Sequence, residues 1–195
     1  MPADDFTPKH LEGEIPSDTS DKLLFAGLSS SAGILSLYDL ASKQPILRAF
    51  PHIPSSLVSS PTYPATAKGG AIYSVAYDPD RYLLASGSAK GTIVIRDVRM
   101  LDKDGSGVLH ILRRTEAAIN DLAFVQPASD SSVVDLVVAP ESGLPCRLGI
   151  PLDGEQPVTC VEEFAGWEPV SIESIAVGRE GQVWVSGAEG GIRRY

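Results

Sequence analysis

The stretch of the chain that most resembles a reactive site is Asp102-Lys103-Asp104-Gly105-Ser106-Gly107. Its oxygen-bearing side chains alternate as they do at the start of an EF-hand calcium loop. Such a loop closes on a bidentate Glu at its twelfth position, and here that position is Arg113. With no helices expected on either side, a polar hairpin explains the run better than a metal site. Gly87-Ser88-Ala89-Lys90-Gly91-Thr92 has the flavour of a phosphate loop. It lacks the G-x-x-x-x-G-K-[ST] spacing, and no helix follows to aim its N-terminal amides at an anion. Cys146 and Cys160 fall on neighbouring expected strands, yet two ligands are too few for zinc, and reduced thiols are the simpler reading. His10, His52 and His110 share no ligand spacing, and neither a G-x-S-x-G elbow nor a helical H-E-x-x-H is present. The residue types give no positive sign of catalysis, so the expectation is a non-enzyme with no metal and no cofactor.

The elements that would carry these residues follow from composition and pattern. The 195 residues are 43% hydrophobic and 21% charged, a globular balance. Eighteen glycines and fifteen prolines suit many short strands joined by turns. A net charge of −9 argues against direct binding to nucleic-acid phosphates. No run approaches the ~20 apolar residues of a membrane span. The N-terminus, MPADDFTPKHLEGEIPSD, is acidic and has no apolar core of the secretory kind. With only two cysteines, a cytoplasmic or nuclear setting is expected.

The chain repeats. In Ala71 to Val98, a strand bearing Ile72, Val75 and Tyr77 runs into a turn at Asp78-Pro79-Asp80. A second strand (Tyr82 to Ala85), a tight turn (Ala89-Lys90-Gly91) and a third strand (Thr92 to Val98) follow. Ala118 to Phe124 repeats the first strand with Ile119, Leu122 and Phe124, and Ser171 to Val177 repeats it with Ile172, Ile175 and Val177. The offsets, 47 and 53 residues, slightly exceed the ~40–45 of a propeller blade, as loop insertions would make them. Leu23 to Leu40 and Val183 to Tyr195 repeat only the second and third strands. Fourth strands are expected at Pro45–Phe50, Val108–Leu112 and Val158–Phe164. Residues 1–21 carry no period and read as a flexible segment. Residues 51–68 are rich in Pro, Ser and Thr and read as a long exposed loop.

The Ala71–Val98 unit resembles a WD repeat, and the resemblance extends more weakly over residues 22–195. It implies an all-β fold, a β-propeller of four-stranded blades at approximately 22–50, 71–112, 118–164 and 170–195. Three, four, four and three strands make about three and a half blades, fewer than the four complete blades a closed ring needs. The expectation is therefore a partial propeller, with a longer natural chain, a strand-completing partner or self-association closing it. Apolar residues such as Leu23, Phe25, Ile34, Leu35 and Leu37 at one end, and Ile175, Val183, Val185 and Ile192 at the other, would then face outward uncovered. The family's polar group is thinly kept: Ala67-Lys68 stands in place of Gly-His, Lys90 in place of the turn Asp, and Arg96-Asp97 in place of Trp-Asp. Of that group only Ser86 is expected to remain, leaving packing between blades to carry the stability.

What the resemblance implies for function is a non-enzymatic scaffold that docks other proteins within a larger intracellular complex. The alternatives are a hydrolase-type enzyme with its site in the propeller channel, or a truncated product with no function of its own. Partners of such propellers meet the face bearing the turns between second and third strands and the approach to each first strand. Carried over by position, that face holds Ala71, Tyr73, Ala89 and Lys90, with Ala118, Asn120, Ser171 and Glu173 as the corresponding approach residues. Tyr73 is the favoured anchor, since an exposed Tyr supplies contact area at low entropy cost. Trp167 is a second candidate because Trp is enriched among binding hot spots, whereas Trp184, within a strand, is read as core. If Asp102 to Gly107 is only a turn, millimolar calcium should leave the thermal midpoint unchanged. A rise that disappears in Asp104→Ala would instead reveal a metal site, because a ligand selective for the native state stabilises it.

Overall fold

The computed structural model describes residues 23–27, 33–39, 48–54, 70–101, 107–113, 115–125, 132–142, 144–166 and 170–195. The N-terminal segment 1–21, residues 55–69, the calcium-like residues 102–106 and Trp167 lie outside these. Among the described residues the chain is all β, with fourteen strands in four antiparallel sheets. The first sheet is β1 (Leu23–Gly27), β2 (Ile34–Asp39) and β3 (Arg48–Pro51). The second is β4 (Ile72–Asp78), β5 (Leu83–Ser88), β6 (Thr92–Asp97) and β7 (Val108–Arg113). The third is β8 (Ile119–Val125), β9 (Val133–Pro140), β10 (Cys146–Pro151) and β11 (Thr159–Glu163). The fourth is β12 (Ile172–Val177), β13 (Val183–Gly187) and β14 (Ile192–Arg194). Strands pair with their chain neighbours in each sheet, so every sheet is a meander.

Local chemistry sets the turns. Asp78 Oδ1 accepts from the amides of Asp80 at 3.0 Å and Arg81 at 3.3 Å, closing the β4–β5 turn that the Asp-Pro-Asp run announced. Gly91 holds the β5–β6 turn at φ +72 with Thr115 O where a Cβ would stand, so only glycine fits. Every residue of β5 and β6 is buried. These strands lie at the middle of their sheet with packing on both faces, which is why LLASGS and TIVIRD show no clean polar alternation.

The sheets stack in chain order through three apolar clusters. One joins the first sheet to the second (Leu35, Leu37 and Phe50 with Ile72, Leu84 and Val98). The next joins the second to the third (Ala85, Ile93 and Ile95 with Ile119, Leu122 and Leu136). The last joins the third to the fourth (Val125, Val137 and Phe164 with Ile172, Val183 and Val185). The strands that open the second, third and fourth sheets line up side by side, β4 beside β8 and β8 beside β12, with β1 beside β4. At each seam an isoleucine meets a small residue of the preceding sheet. Ile72 fills the space a side chain at Gly27 would take, Ile119 the space at Gly87, and Ile172 packs with Ala139.

Two expectations need correcting. Leu35, Leu37, Val183 and Val185 are fully buried and Ile175 nearly so, because each faces the neighbouring sheet rather than solvent. Of the residues expected to lie open at the two ends, Ile192 is indeed 73% exposed. The expected exposed loop at 51–68 also begins too early. Pro51 completes β3, and His52, Ile53 and Pro54 are buried. The Ile119–Gly87 contact gives a direct test of the stacking. Gly87→Ala should cost about 1–3 kcal/mol by overpacking, and Ile119→Ala about 2–5 kcal/mol by leaving a cavity. Because Ile119→Ala removes one of the two obstacles to a side chain at Gly87, the other being Ser74 Oγ of the same sheet, the double variant should lose less than the two losses added. Additive losses in urea melts would mean that these residues do not meet.

Candidate functional site

The same irregularity occurs at the same place in three sheets. Ile72 pairs with Ser88 and Ser74 with Gly87, so Tyr73 is an extra residue in β4. In β8 the extra residue is Asn120, between Ile119 (opposite Pro140) and Asp121 (opposite Ala139). In β12 it is Glu173, between Ile172 (opposite Gly187) and Ser174 (opposite Ser186). A β-bulge of this kind bends the strand and re-aims the unpaired side chain. The residue two places before each extra residue is tied down as well. The carbonyls of Ala71, Ala118 and Ser171 accept from the amides of Ala89, Glu141 and Ala188 at 2.8, 2.7 and 2.9 Å. Three strand starts and three second-to-third-strand turns are thereby fastened together at one end of the molecule.

The bulge residues then divide by what their side chains do. Tyr73 is 57% exposed, and Glu173 is also exposed. Asn120 is half-buried, and its Nδ2 donates to the Ile172 carbonyl at 2.7 Å. Ser74 makes the matching bridge one sheet earlier, its Oγ donating to the Ile119 carbonyl at 2.7 Å. Asp121 completes the junction between β8 and β12, its Oδ2 accepting from the Ile175 amide at 2.8 Å and Ser174 Oγ at 3.0 Å. Asn120 and Asp121 therefore join sheets, while Tyr73 and Glu173 are left to meet something else. Lys90 is exposed on the turn beside the half-buried Ala89. Glu116, Glu141 and Glu189 are exposed on the loops and turns of the same end. Of the residues expected on this face, Ala71, Tyr73, Ala89, Lys90, Asn120 and Glu173 all lie at this end, and Trp167 is outside the described residues.

Sequence reasoning missed a buried polar cluster that the structure assembles between the first and second sheets. His52 Nδ1 and Ser86 Oγ share a hydrogen bond at 3.1 Å, and both residues are buried. Arg96, fully buried, donates from Nη2 to the carbonyls of Pro51, at 3.0 Å, and His52. Its guanidinium carbon stands 5.4 Å from the centre of the Phe50 ring. Burial, followed by the Arg96 charge, pushes the His52 pKa down to about 3, with the Thr92 backbone opposing. Burial also draws Arg96 down to about 10, which leaves it charged at neutral pH. A Ser–His contact is half of an activated nucleophile. Here the imidazole is buried beside a guanidinium rather than a carboxylate, and its bond to Ser86 ties the first sheet to the second. Ser86 was expected to stand alone, with Lys68 in the place of a histidine. A histidine does reach Ser86: it is His52, well ahead of β4 in sequence, and the RAFPHIP run around it was the signal available.

Among the described residues no group of three or more His, Cys, Asp or Glu side chains is placed to hold a metal. In the same residues no helix is long and apolar enough to cross a membrane. No family model matches this sequence, and no curated protein does.

The division of labour among the bulge residues is measurable. Asn120→Ala should cost about 1 kcal/mol, the net worth of a hydrogen bond. Asp121→Ala should cost about 1.5–3 kcal/mol, because the Ile175 amide loses a charged acceptor. Tyr73→Ala and Glu173→Ala should stay within about 0.5 kcal/mol of the parent. Denaturant midpoints for the four variants would decide the matter, and a large loss at Tyr73 would move it from the free surface into the framework.

Proposed function

We propose that the chain is a WD-type β-propeller segment that serves as a non-enzymatic docking scaffold for other proteins inside a larger cytoplasmic or nuclear complex. The observation that carries this reading is the bulge repeated in β4, β8 and β12, which turns Tyr73 and Glu173 outward at one end of adjoining strands. Catalysis asks for groups converging on a reacting atom, whereas docking asks for a rigid, exposed platform. This end has the second character: its backbone is cross-tied three times over, and its exposed side chains include an aromatic ring, a lysine and several carboxylates, of which Glu116 is paired with Arg113.

The propeller reading draws on the stacking of successive meanders with their opening strands side by side. It draws also on His52, which precedes a first strand in sequence and bonds Ser86 on the second. That pairing resembles the family's polar group more closely than the sequence alone allowed. The platform's exposed carboxylates disfavour nucleic-acid phosphates and favour a polypeptide carrying basic groups, with Tyr73 as the apolar anchor. The outward faces of the first and fourth sheets, where Leu24 is 48% and Ile192 73% exposed, are where a strand-completing partner or a second copy would sit.

A photo-crosslinking residue at position 73 should capture a protein partner in cells. One at Met100, exposed on the turn beyond β6 at the opposite end, should capture little of the same protein. With that partner purified, Tyr73→Ala should weaken binding about tenfold or more, as loss of a hot-spot aromatic does, without changing stability. Equal capture from both ends, or unchanged affinity in Tyr73→Ala and Glu173→Ala, would remove this surface from consideration.

A further inference from the structure

The segment from Phe50 to Pro54 belongs to the first sheet by chain but fastens to the second. The His52 amide donates to Gly33 O at 2.7 Å, which anchors it to the first sheet. Its ring bonds Ser86 on β5, while the Pro51 and His52 carbonyls receive Arg96 of β6. Ile53 and Pro54 are buried beside it. The polar contacts of this strap to the second sheet therefore run through one histidine and the backbone on either side of it.

We propose that the strap is an acid-released latch: when His52 takes up a proton, Pro51–Pro54 leaves the second sheet and the seam between the first two sheets opens. The groups that face His52 explain why. From β5 comes the Ser86 hydroxyl, and from β6 come Thr92 and the Arg96 guanidinium. From the first sheet comes Gly33, whose position adjoins both the His52 Cβ and Gly70. Lys90, on the β5–β6 turn, packs against Gly70. Arg96 is the charged group that bears on the imidazole; the carboxylate of β6, Asp97, is bonded to Arg99 at the far end of that strand. An imidazolium here would lose its water beside another positive charge, which burial makes expensive.

The latched ring resists protonation down to about pH 3, whereas a released, hydrated ring binds a proton near the ordinary ~6.5. The folded pKa is depressed, so the latch is at full strength above pH 6.5 and weakens as pH falls towards 3. Across that window the ratio of released to latched strap rises about fivefold from pH 6.5 to 5.5 and about tenfold from 5.5 to 4.5, or about 50-fold in all. Most carboxylates remain ionised over the upper part of that range.

Hydrogen exchange on the full chain, corrected for the intrinsic pH dependence of exchange, tests this at pH 7.5, 6.5, 5.5 and 4.5. The protection that the strap gives the Arg96 Nη protons, which the Pro51 and His52 carbonyls accept, should fall about fivefold from pH 6.5 to 5.5 and about tenfold from 5.5 to 4.5, while β9 and β10 amides hold steady. His52→Gln should make the strap's protection independent of pH. Should that variant not fold, NMR titration of the wild-type His52 ring serves instead, and its midpoint should lie well below 6.5 and track the loss of strap protection. The latch is overturned by strap protection that does not vary with pH or that falls equally in every sheet. It is likewise overturned by an unchanged slope in His52→Gln, or by a ring that titrates near 6.5 while the strap stays protected.

Discussion

Everything in this molecule depends on how closely the opening strand of one sheet approaches the sheet before it. Ile119 reaches into the space that Gly87 leaves vacant, and Ile72 does the same at Gly27. A single methyl at either glycine would push two sheets apart. Burying an isoleucine is worth about 1.5–3 kcal/mol, but the larger consequence is geometric. The contact fixes how far apart successive sheets stand, and the hydrogen bonds that cross between them require that distance. Ser74 Oγ reaches the Ile119 carbonyl, and Asn120 Nδ2 the Ile172 carbonyl, only because the isoleucines have been drawn in. The apolar seam and the polar bridge are thus one device, repeated.

The bulge is the second half of that device. A regular strand would point residues 73, 120 and 173 into the ladder's alternation and bury or expose them according to the pleat. One extra residue breaks the alternation immediately after the seam isoleucine. The isoleucine can then face the preceding sheet while the next side chain turns outward at the end of the strand. The candidate surface is a by-product of the packing solution. The positions are therefore held rigidly, and the residue there differs from sheet to sheet: Tyr73 and Glu173 are exposed, whereas Asn120 is used as a bridge.

This explains what the sequence disclosed and what it hid. Strand positions were legible because the apolar pattern of AIYSVAY, AINDLAF and SIESIAV recurs and because Asp-Pro-Asp and Ala-Lys-Gly punctuate it. The approach residues were legible for the same reason, since any register that aligns Ile72, Ile119 and Ile172 also aligns Tyr73, Asn120 and Glu173. The bulge itself was not visible, because an extra residue in one strand shows only against its partner's register. Asn120 looked like a surface residue because nothing local reveals that a carbonyl 52 positions away needs its amide. His52 was hidden by distance: residues 55–69 intervene between it and the sheet whose serine it bonds, so a motif read by spacing looked in the wrong place.

The polar cluster is also unequal among the seams, and that inequality orders them. The place held by Ser86 in the second sheet is held by Val138 in the third and Val185 in the fourth, and the place of Arg96 by Leu148. Where those residues are apolar, that place in the seam is closed by burial, whose strength does not change with pH, and the Ser74, Asn120 and Asp121 bridges lie beside it. The seam between the first and second sheets encloses an imidazole and a guanidinium instead. Replacing such groups by apolar residues of similar volume is often neutral or stabilising, so their presence is not explained by stability. What they supply is direction and condition. A hydrogen-bonded ring and a guanidinium seated on two carbonyls accept one arrangement of the strap, and they hold it only while the imidazole is neutral. Isoleucine and valine at the heart of the other seams enclose no imidazole, so the histidine–arginine seam is the one whose closure depends on a neutral ring.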